Sequence, residues 1–177
     1  MYRHLNDDLL PAAFRHGTMD GGPRRHPAQH QADIVRAATL YRHGGVWVDP
    51  SFFLVRSVDE ICWDKLSDPE YGAEIYAIQI QGIFVINGFL AARSGSPFVK
   101  KWAELYLHLW EGRTNSAGLS GHTLMAPVLD ALGQRKTSWD DSLQIVKWSV
   151  GHDVVFDYGL QMLCWQRVVM LIDRLLS

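Results

Sequence analysis

Residues 30–54 read HQADIVRAATLYRHGGVWVDPSFFL, and the order of the signals in this stretch decides the fold. Apolar residues at helical spacing, preceded by a proline suited to a first turn, predict a helix over residues 27–43. Gly44-Gly45 ends this helix, since glycine adopts the left-handed conformation that a helix C-cap requires. Val46-Trp47-Val48 is too short an apolar run for a helix and predicts a buried strand. That strand ends at Asp49, where ligands often bind in α/β sheets.

The rest of the chain mixes extended and helical patterns. Asn87-Gly88 lies between two apolar runs and predicts either a hairpin turn or a bulge. Ser96 and Pro97 open a second strong helix, which Gly112 closes. The further predicted strands cover 52–55, 75–80, 83–86 and 89–92, and the further helices cover 124–132 and 158–176. The mixture predicts a single α/β or α+β domain.

Composition narrows the class of protein. With 177 residues, 47% hydrophobic and 20% charged, the chain is globular and long enough for one domain. We therefore predict one domain over 1–177, with an irregular lead-in at 1–26 and a core at 27–177. A net charge of −2 excludes a general nucleic-acid-binding protein, because phosphate contacts need a basic face. Two cysteines without metal-ligand spacing disfavour a disulfide framework and a zinc site.

The predicted location of the protein rests on two features that the sequence lacks, a secretory signal peptide and a membrane-spanning segment. The polar start lacks the apolar run of a secretory signal peptide. The longest apolar stretch, 160–176, is interrupted by charged residues and predicts a packed helix instead of a membrane span. A cytoplasmic location is the default expectation. The histidines at 16, 26 and 30 are expected to be solvated in a flexible lead-in.

Four residues of the deciding stretch are the candidates for chemistry. Asp33 and Arg36 are three apart and share a helix face, whereas Trp47 and Asp49 are two apart and share a strand face. We expect both pairs to face one cleft at the carboxyl end of a central strand. Carboxylate and guanidinium groups suit sugar hydroxyls, and a flat ring covers a sugar or base. The alternative is an exposed Asp33–Arg36 ion pair worth little, with Trp47 in the core.

The stretch 30–54 resembles the central motif of glycosyltransferases that carry an Asp-x-Asp sequence after a Gly-Gly turn. This is the sugar-binding-region family, which includes fungal initiating α-mannosyltransferases and capsular polysaccharide synthesis proteins. The sequence resembles the capsular-type fungal members in three further segments: VDEICW at 58–63, NGFLAARSGSPF at 87–98 and WEGRT at 110–114. The resemblance covers most of the chain between about residues 5 and 172.

The resemblance implies a GT-A-like nucleotide-diphospho-sugar transferase fold and transfer of a sugar to a carbohydrate acceptor. It implies that Asp33 and Arg36 bind the donor sugar, and we add Asn87 as a candidate for the same group, although a turn asparagine is an equal alternative. It implies that Trp47 and Asp49 line the nucleotide site. Asp49 would also hold Mn²⁺ or Mg²⁺ at the diphosphate.

The sequence departs from the family pattern in two places. Ser51 replaces the second carboxylate of the Asp-x-Asp motif, so that Asp49 and Ser51 predict only a weak metal site. The strand-helix unit that forms the base site in the family is reduced to a remnant before Pro27, which predicts a domain incomplete at its N-terminus. Three functions stay open: an active transferase, an inactive relative that binds a nucleotide-sugar or glycan, and a partner-binding fragment without a ligand.

Overall fold

The computed structural model describes residues 27–80, 84–113, 115–134 and 156–176. The predicted lead-in at 1–26 lies outside these residues. The chain divides into two compact units, residues 1–115 and residues 116–177. The described residues combine helices with a sheet, which confirms the predicted mixture of α and β structure. The single domain over 1–177 stays a prediction.

Helix α1, Pro27–His43, and strand β1, Gly45–Val48, follow one another as predicted. The N–H of Gly44 donates to the carbonyl of Leu40 at 2.8 Å, and its φ of 66° lies in the left-handed region. A Cβ on Gly44 would lie 2.6 Å from the backbone nitrogen of Ser94. Both backbone conformation and space therefore require glycine here, and the tight turn starts β1 directly at the end of α1.

In the described residues of the first unit, three antiparallel strands form a sheet in the order β1-β3-β2, with β2 at Ile75–Ile80 and β3 at Phe84–Ala92. Strand β1 lies at the edge of the sheet that the described residues form, and its expected central position stays a prediction. The strand predicted at 52–55 is wrong, because these residues form no strand. The N–H of Phe52 donates to the carbonyl of Asp49 at 3.0 Å. The chain therefore turns away from the sheet directly after β1.

Strand β3 runs through Asn87-Gly88 without a break, so this pair forms a bulge and not a hairpin turn. Ala77 and Ile78 are adjacent on β2, but their partners on β3 are separated by the extra residues 87–89. On the other side of β3, the N–H of Asp49 donates to the Gly88 carbonyl at 2.8 Å. A bulge bends a strand and redirects its side chains. The bulge therefore lies beside the carboxyl end of β1.

Helix α3, Pro97–Leu109, begins as predicted, because the hydroxyl of Ser96 accepts from the N–H of Val99 at 3.2 Å. A cap of this kind is worth about 1 kcal/mol. The helix packs on α1. Its buried face includes Tyr106, which is only 2% exposed, whereas the neighbouring Leu105 is half-buried.

The segment between β1 and β2 closes a small core under the sheet. One π-helical turn, Asp59–Trp63, continues into helix α2, Asp64–Ser67. The buried Cys62 clusters there with Phe89 of β3. Burial raises the pKa of the Cys62 thiol, and the Asp59 carboxylate raises it further. The thiol therefore stays protonated and serves as a small apolar group.

The second unit is helical in its described residues: a 3₁₀ turn at Thr123–Met125, helix α4 at Ala126–Gln134 and helix α5 at Leu160–Leu176. The two helices predicted for this region are confirmed with shifted ends. The Asp157 carboxylate ahead of α5 accepts from the N–H groups of Gly118 at 2.6 Å and Ser120 at 2.7 Å, which fixes the preceding loop. In the parts of the chain that the structure describes, every helix is too short or too polar to cross a membrane.

Candidate functional site

The Asp33–Arg36 pair of α1 is buried. Asp33 is 1% exposed and Arg36 is 3% exposed, and Nη1 of Arg36 donates to Oδ1 of Asp33 at 2.6 Å. The alternative of an exposed ion pair is therefore wrong, because helix α3 and strand β3 pack against α1 and cover it. Charges this deeply buried need close partners to offset their loss of water.

Arg36 connects the helix to the end of β1. Its Nη2 lies 3.2 Å from Oδ1 and 3.4 Å from Oδ2 of Asp49. The indole Nε1 of Trp47 donates to the same Asp49 oxygen at 2.6 Å, and the guanidinium carbon lies 5.2 Å from the centre of the Trp47 ring. A guanidinium over an aromatic face is an attractive cation–π contact. The four residues expected to converge from helix and strand thus meet at one place.

The bulge of β3 adds Asn87 to this group. Its side-chain nitrogen donates to Oδ1 of Asp33 at 3.1 Å. The neighbouring Gly88 leaves room for two side chains of the turn after β1, since a Cβ there would lie 2.6 Å from the ring of Phe52 and 3.0 Å from Oδ2 of Asp49. The bulge therefore brings Asn87 beside the charged pair, as the site prediction requires. The sugar-binding role of Asn87 stays a prediction.

Two residues of the site were missed by the sequence reasoning. The hydroxyl of Tyr106 donates to Oδ2 of Asp33 at 3.2 Å, and Nδ1 of His30 lies 3.1 Å from that hydroxyl. The expectation that His30 is solvated is wrong, because it lies in the first turns of α1, is 2% exposed and packs on Trp110 with 5.1 Å between ring centres. His16 and His26 lie outside the described residues. The sequence held one signal for the role of His30: it lies three residues before Asp33, which places both side chains on the same helix face.

These contacts define an inner and an outer side of the site. On the inner side, Oδ1 of Asp33 accepts from Arg36 and Asn87, while Oδ2 accepts from Tyr106. On the outer side, the Asp49 side chain is 30% exposed and Trp47 is half-buried. Two carboxylates and one guanidinium leave a formal charge of −1. The outer side offers a carboxylate and an aromatic ring with the buried guanidinium of Arg36 behind them, and this arrangement suits a polar ligand with a flat part.

The donor set for a divalent cation is small. Ser51 is exposed in the turn after β1, and Asp49 already accepts from Arg36 and Trp47. Among the described residues, no group of three or more His, Cys, Asp or Glu side chains can hold a metal ion. Mg²⁺ commonly keeps several waters and uses one or two carboxylates together with substrate phosphates. The residues present therefore fit a cation that arrives with a diphosphate, and they do not fit a preformed protein cage.

Comparison with known proteins gives both a family and relatives. The family model of capsular polysaccharide synthesis proteins matches residues 24–142. The probable glycosyltransferase FCK3 of Fusarium pseudograminearum is 39% identical over 173 residues, which are 97% of this chain and 41% of that protein. The glycosyltransferase afumC of Aspergillus fumigatus is 36% identical over 172 residues, and the O-glycosyltransferase braB of Annulohypoxylon truncatum is 34% identical over 176. These two alignments cover 94% and 96% of this chain, and 41% and 40% of the relatives.

The chain spans about two fifths of the length of these curated relatives. No solved structure matches it significantly. The family match covers more than half of the chain and includes every residue of the site described above. It confirms the predicted resemblance to glycosyltransferases of the capsular type. The chain belongs to the family of capsular polysaccharide synthesis proteins.

Proposed function

We propose that this chain carries the donor site of a glycosyltransferase with a GT-A-like fold, which transfers a sugar from a nucleotide-diphospho-sugar to a hydroxyl of a carbohydrate acceptor. The observation that carries the proposal is the placement of Arg36 between Asp33 and Asp49, beside Trp47. The names of the relatives support it, since two are named glycosyltransferases and FCK3 is named a probable glycosyltransferase. The chain spans only part of the length of these relatives, so that sugar transfer by the whole protein is itself proposed.

The proposed roles follow from the two sides of the site. Trp47 and the partly exposed carboxylate side chain of Asp49 would contact the nucleotide, with the indole against the base or ribose. Nη2 of Arg36, which donates to Asp49, is the group that we assign to the sugar hydroxyls. Asp33 and Asn87 complete the donor-sugar group and hold the guanidinium from behind. A fixed cation in a dry site stabilises charge that develops during transfer.

Asp49, with Ser51 as a weak second ligand, is the place where Mn²⁺ or Mg²⁺ would bind. A divalent cation there would supply Lewis-acid neutralisation of the diphosphate leaving group. The protein contributes one carboxylate, so the diphosphate and waters would provide the remaining oxygens.

A second candidate is a relative that binds the nucleotide-sugar without turnover. Two observations favour it: Ser51 stands where the motif has a carboxylate, and Asp49 is already engaged by Arg36. An assay for release of nucleotide diphosphate, run with each donor that binds and with Mn²⁺ and oligosaccharide acceptors, separates the two candidates. Release that depends on the acceptor and is lost in Asp49→Ala supports the transferase. Binding without release supports the second candidate, and no binding at all contradicts both.

Substitution of Ser51 by aspartate tests the weak cation site. We expect Ser51→Asp to raise the affinity for Mn²⁺ in the presence of nucleotide diphosphate, because a second carboxylate replaces a neutral hydroxyl ligand. Calorimetry with Mn²⁺ and nucleotide on both chains measures the change. Ser57→Asp is the matched control, since it places the same charge on the same exposed loop away from Asp49. Tight Mn²⁺ binding by the unmodified chain, or an equal gain in both variants, contradicts this prediction.

A further inference from the structure

We propose that Tyr106 is a positioning residue for the donor site, with His30 behind it as its support. The inference rests on the proposed function, and it concerns Tyr106 and His30, to which no role has been assigned above. Tyr106 lies on α3, and Asp33 lies 73 residues earlier on α1. The hydroxyl of Tyr106 therefore joins helix α3 to the charged pair of α1.

The orientation of the Asp33 carboxylate depends on contacts to both of its oxygens. The last torsion of an aspartate side chain has a broad, roughly two-fold energy profile, so the side chain alone does not fix the carboxylate plane. Arg36 and Asn87 both donate to Oδ1. Oδ2 accepts from the hydroxyl of Tyr106 at 3.2 Å. Tyr106 thus holds Oδ2 in place. Because the two oxygens belong to one rigid carboxylate, the position of Oδ1, and with it the position of the Arg36 guanidinium, depends on this contact.

His30 gives the hydroxyl a fixed direction. When the Tyr106 hydroxyl donates its hydrogen bond to Asp33, its oxygen is left to accept from His30 at 3.1 Å in the tautomer that carries the hydrogen on Nδ1, and the same Nδ1 lies 3.7 Å from Oδ2 of Asp33. The imidazole packs against the Trp110 ring at 5.1 Å, and Tyr106 packs edge-on against the same ring at 6.3 Å. His30, Tyr106 and Asp33 are each at most 2% exposed. Bulk solvent therefore does not reach these groups, and the chain of hydrogen bonds ends on the carboxylate.

Packing alone explains the ring of Tyr106 but not its hydroxyl. Other buried members of the same helix face, Phe98, Trp102 and Leu109, fill space chiefly with apolar groups. A buried hydroxyl is unfavourable unless it is hydrogen-bonded. This hydroxyl is bonded to a carboxylate that itself holds the guanidinium proposed to bind the sugar. The contact therefore links a core position to the geometry of the site.

The substitution Tyr106→Phe removes only the hydroxyl and tests the inference. We expect the affinity for the nucleotide-sugar to fall by roughly tenfold, the lower end of what removal of an outer-shell partner costs at metal sites. The affinity for the free nucleotide diphosphate should change less than twofold, because Arg36 is assigned to the sugar. His30→Phe keeps an aromatic ring on Trp110 without the Nδ1 donor, and it should weaken sugar binding in the same direction by less. Calorimetry with both ligands measures these changes.

Two controls separate positioning from loss of stability. Ser96→Ala removes the cap of α3 and should lower the melting temperature without changing the ratio of the two affinities. In an Arg36→Ala background, Tyr106→Phe should cause no further loss of sugar binding, because Tyr106 is proposed to act through Arg36. Substitutions of residues that act through one another have non-additive effects. Additive losses, or an equal loss of both ligands in Tyr106→Phe, would overturn the inference.

The outcome also separates this inference from the proposed function. An unmodified chain that binds none of the nucleotide-sugars refutes the proposed function and the inference with it. An unmodified chain that binds a donor, together with unchanged donor affinity in both Tyr106→Phe and His30→Phe, refutes the inference alone.

Discussion

Replacement of Asp33 by alanine should lower the free energy of unfolding by about 3–5 kcal/mol, the usual result of removing one partner of a buried ion pair. The substitution takes from Arg36 its closest carboxylate, at 2.6 Å, in a position where the guanidinium is 3% exposed. It also removes the acceptor of Asn87 and Tyr106. Denaturant titration of the two chains measures the difference.

The exposed Arg56–Glu60 pair provides the matched control. Its charged atoms lie 3.3 Å apart and its residues are four apart in sequence, but both side chains are more than half exposed. Glu60→Ala should therefore lower the free energy of unfolding by at most about 1 kcal/mol. Asp33→Asn keeps the shape and one acceptor, so its loss should lie between the two. A loss in Asp33→Ala as small as that in Glu60→Ala would mean that the pair is not buried in solution.

Replacement of Arg36 by alanine should weaken binding of the nucleotide-sugar by about 1.5–3 kcal/mol for each charge-assisted hydrogen bond that is lost. This corresponds to roughly 10- to 150-fold in the dissociation constant. The free nucleotide diphosphate should lose much less, since Arg36 is assigned to the sugar and not to the base or phosphates. Stability should also fall, because Asp33 and Asp49 lose the cation that bridges them.

Arg36→Lys separates charge from geometry. Lysine keeps the positive charge but lacks the planar fork that contacts two carboxylates through two different nitrogens. We expect Arg36→Lys to recover part of the stability and little of the sugar affinity. Calorimetry with nucleotide-sugar and nucleotide, on all three chains, measures the effect. Equal losses for both ligands would indicate general electrostatics, and unchanged affinity for both would remove Arg36 from the site.

The parts of the fold that the sequence predicts correctly are those specified by neighbouring residues. Helix α1 and strand β1 follow from helical spacing, a first-turn proline and Gly44-Gly45, and α3 follows from the Ser96 cap. The choice between hairpin and bulge at Asn87-Gly88 was not decided by local sequence, because the register depends on pairing with β1 and β2. The strand expected at 52–55 failed for the same reason, since an apolar run becomes a strand only beside a partner.

The site shows the same division. The convergence of Asp33 and Arg36 with Asp49 follows from helix and strand periodicity joined by a tight turn. Their burial does not, because it depends on α3, which is distant in sequence. The contact between His30 and Tyr106 joins residues 76 positions apart, and no local pattern pairs them. Sequence periodicity therefore predicts which side chains share a face, while tertiary packing decides which of them meet and how deeply they are buried.

A thermal-shift panel of UDP-sugars, GDP-sugars and the free nucleotides, with and without Mn²⁺, tests the central claim most directly. The claim is that Arg36, Asp49 and Trp47 form a nucleotide-sugar site. We expect one donor series to raise the melting temperature of the unmodified chain, with about 2.7 kcal/mol of stabilisation at a hundredfold excess over its dissociation constant. The same donor should shift Arg36→Ala much less. A melting curve that no nucleotide or nucleotide-sugar moves, with or without Mn²⁺, would contradict the claim.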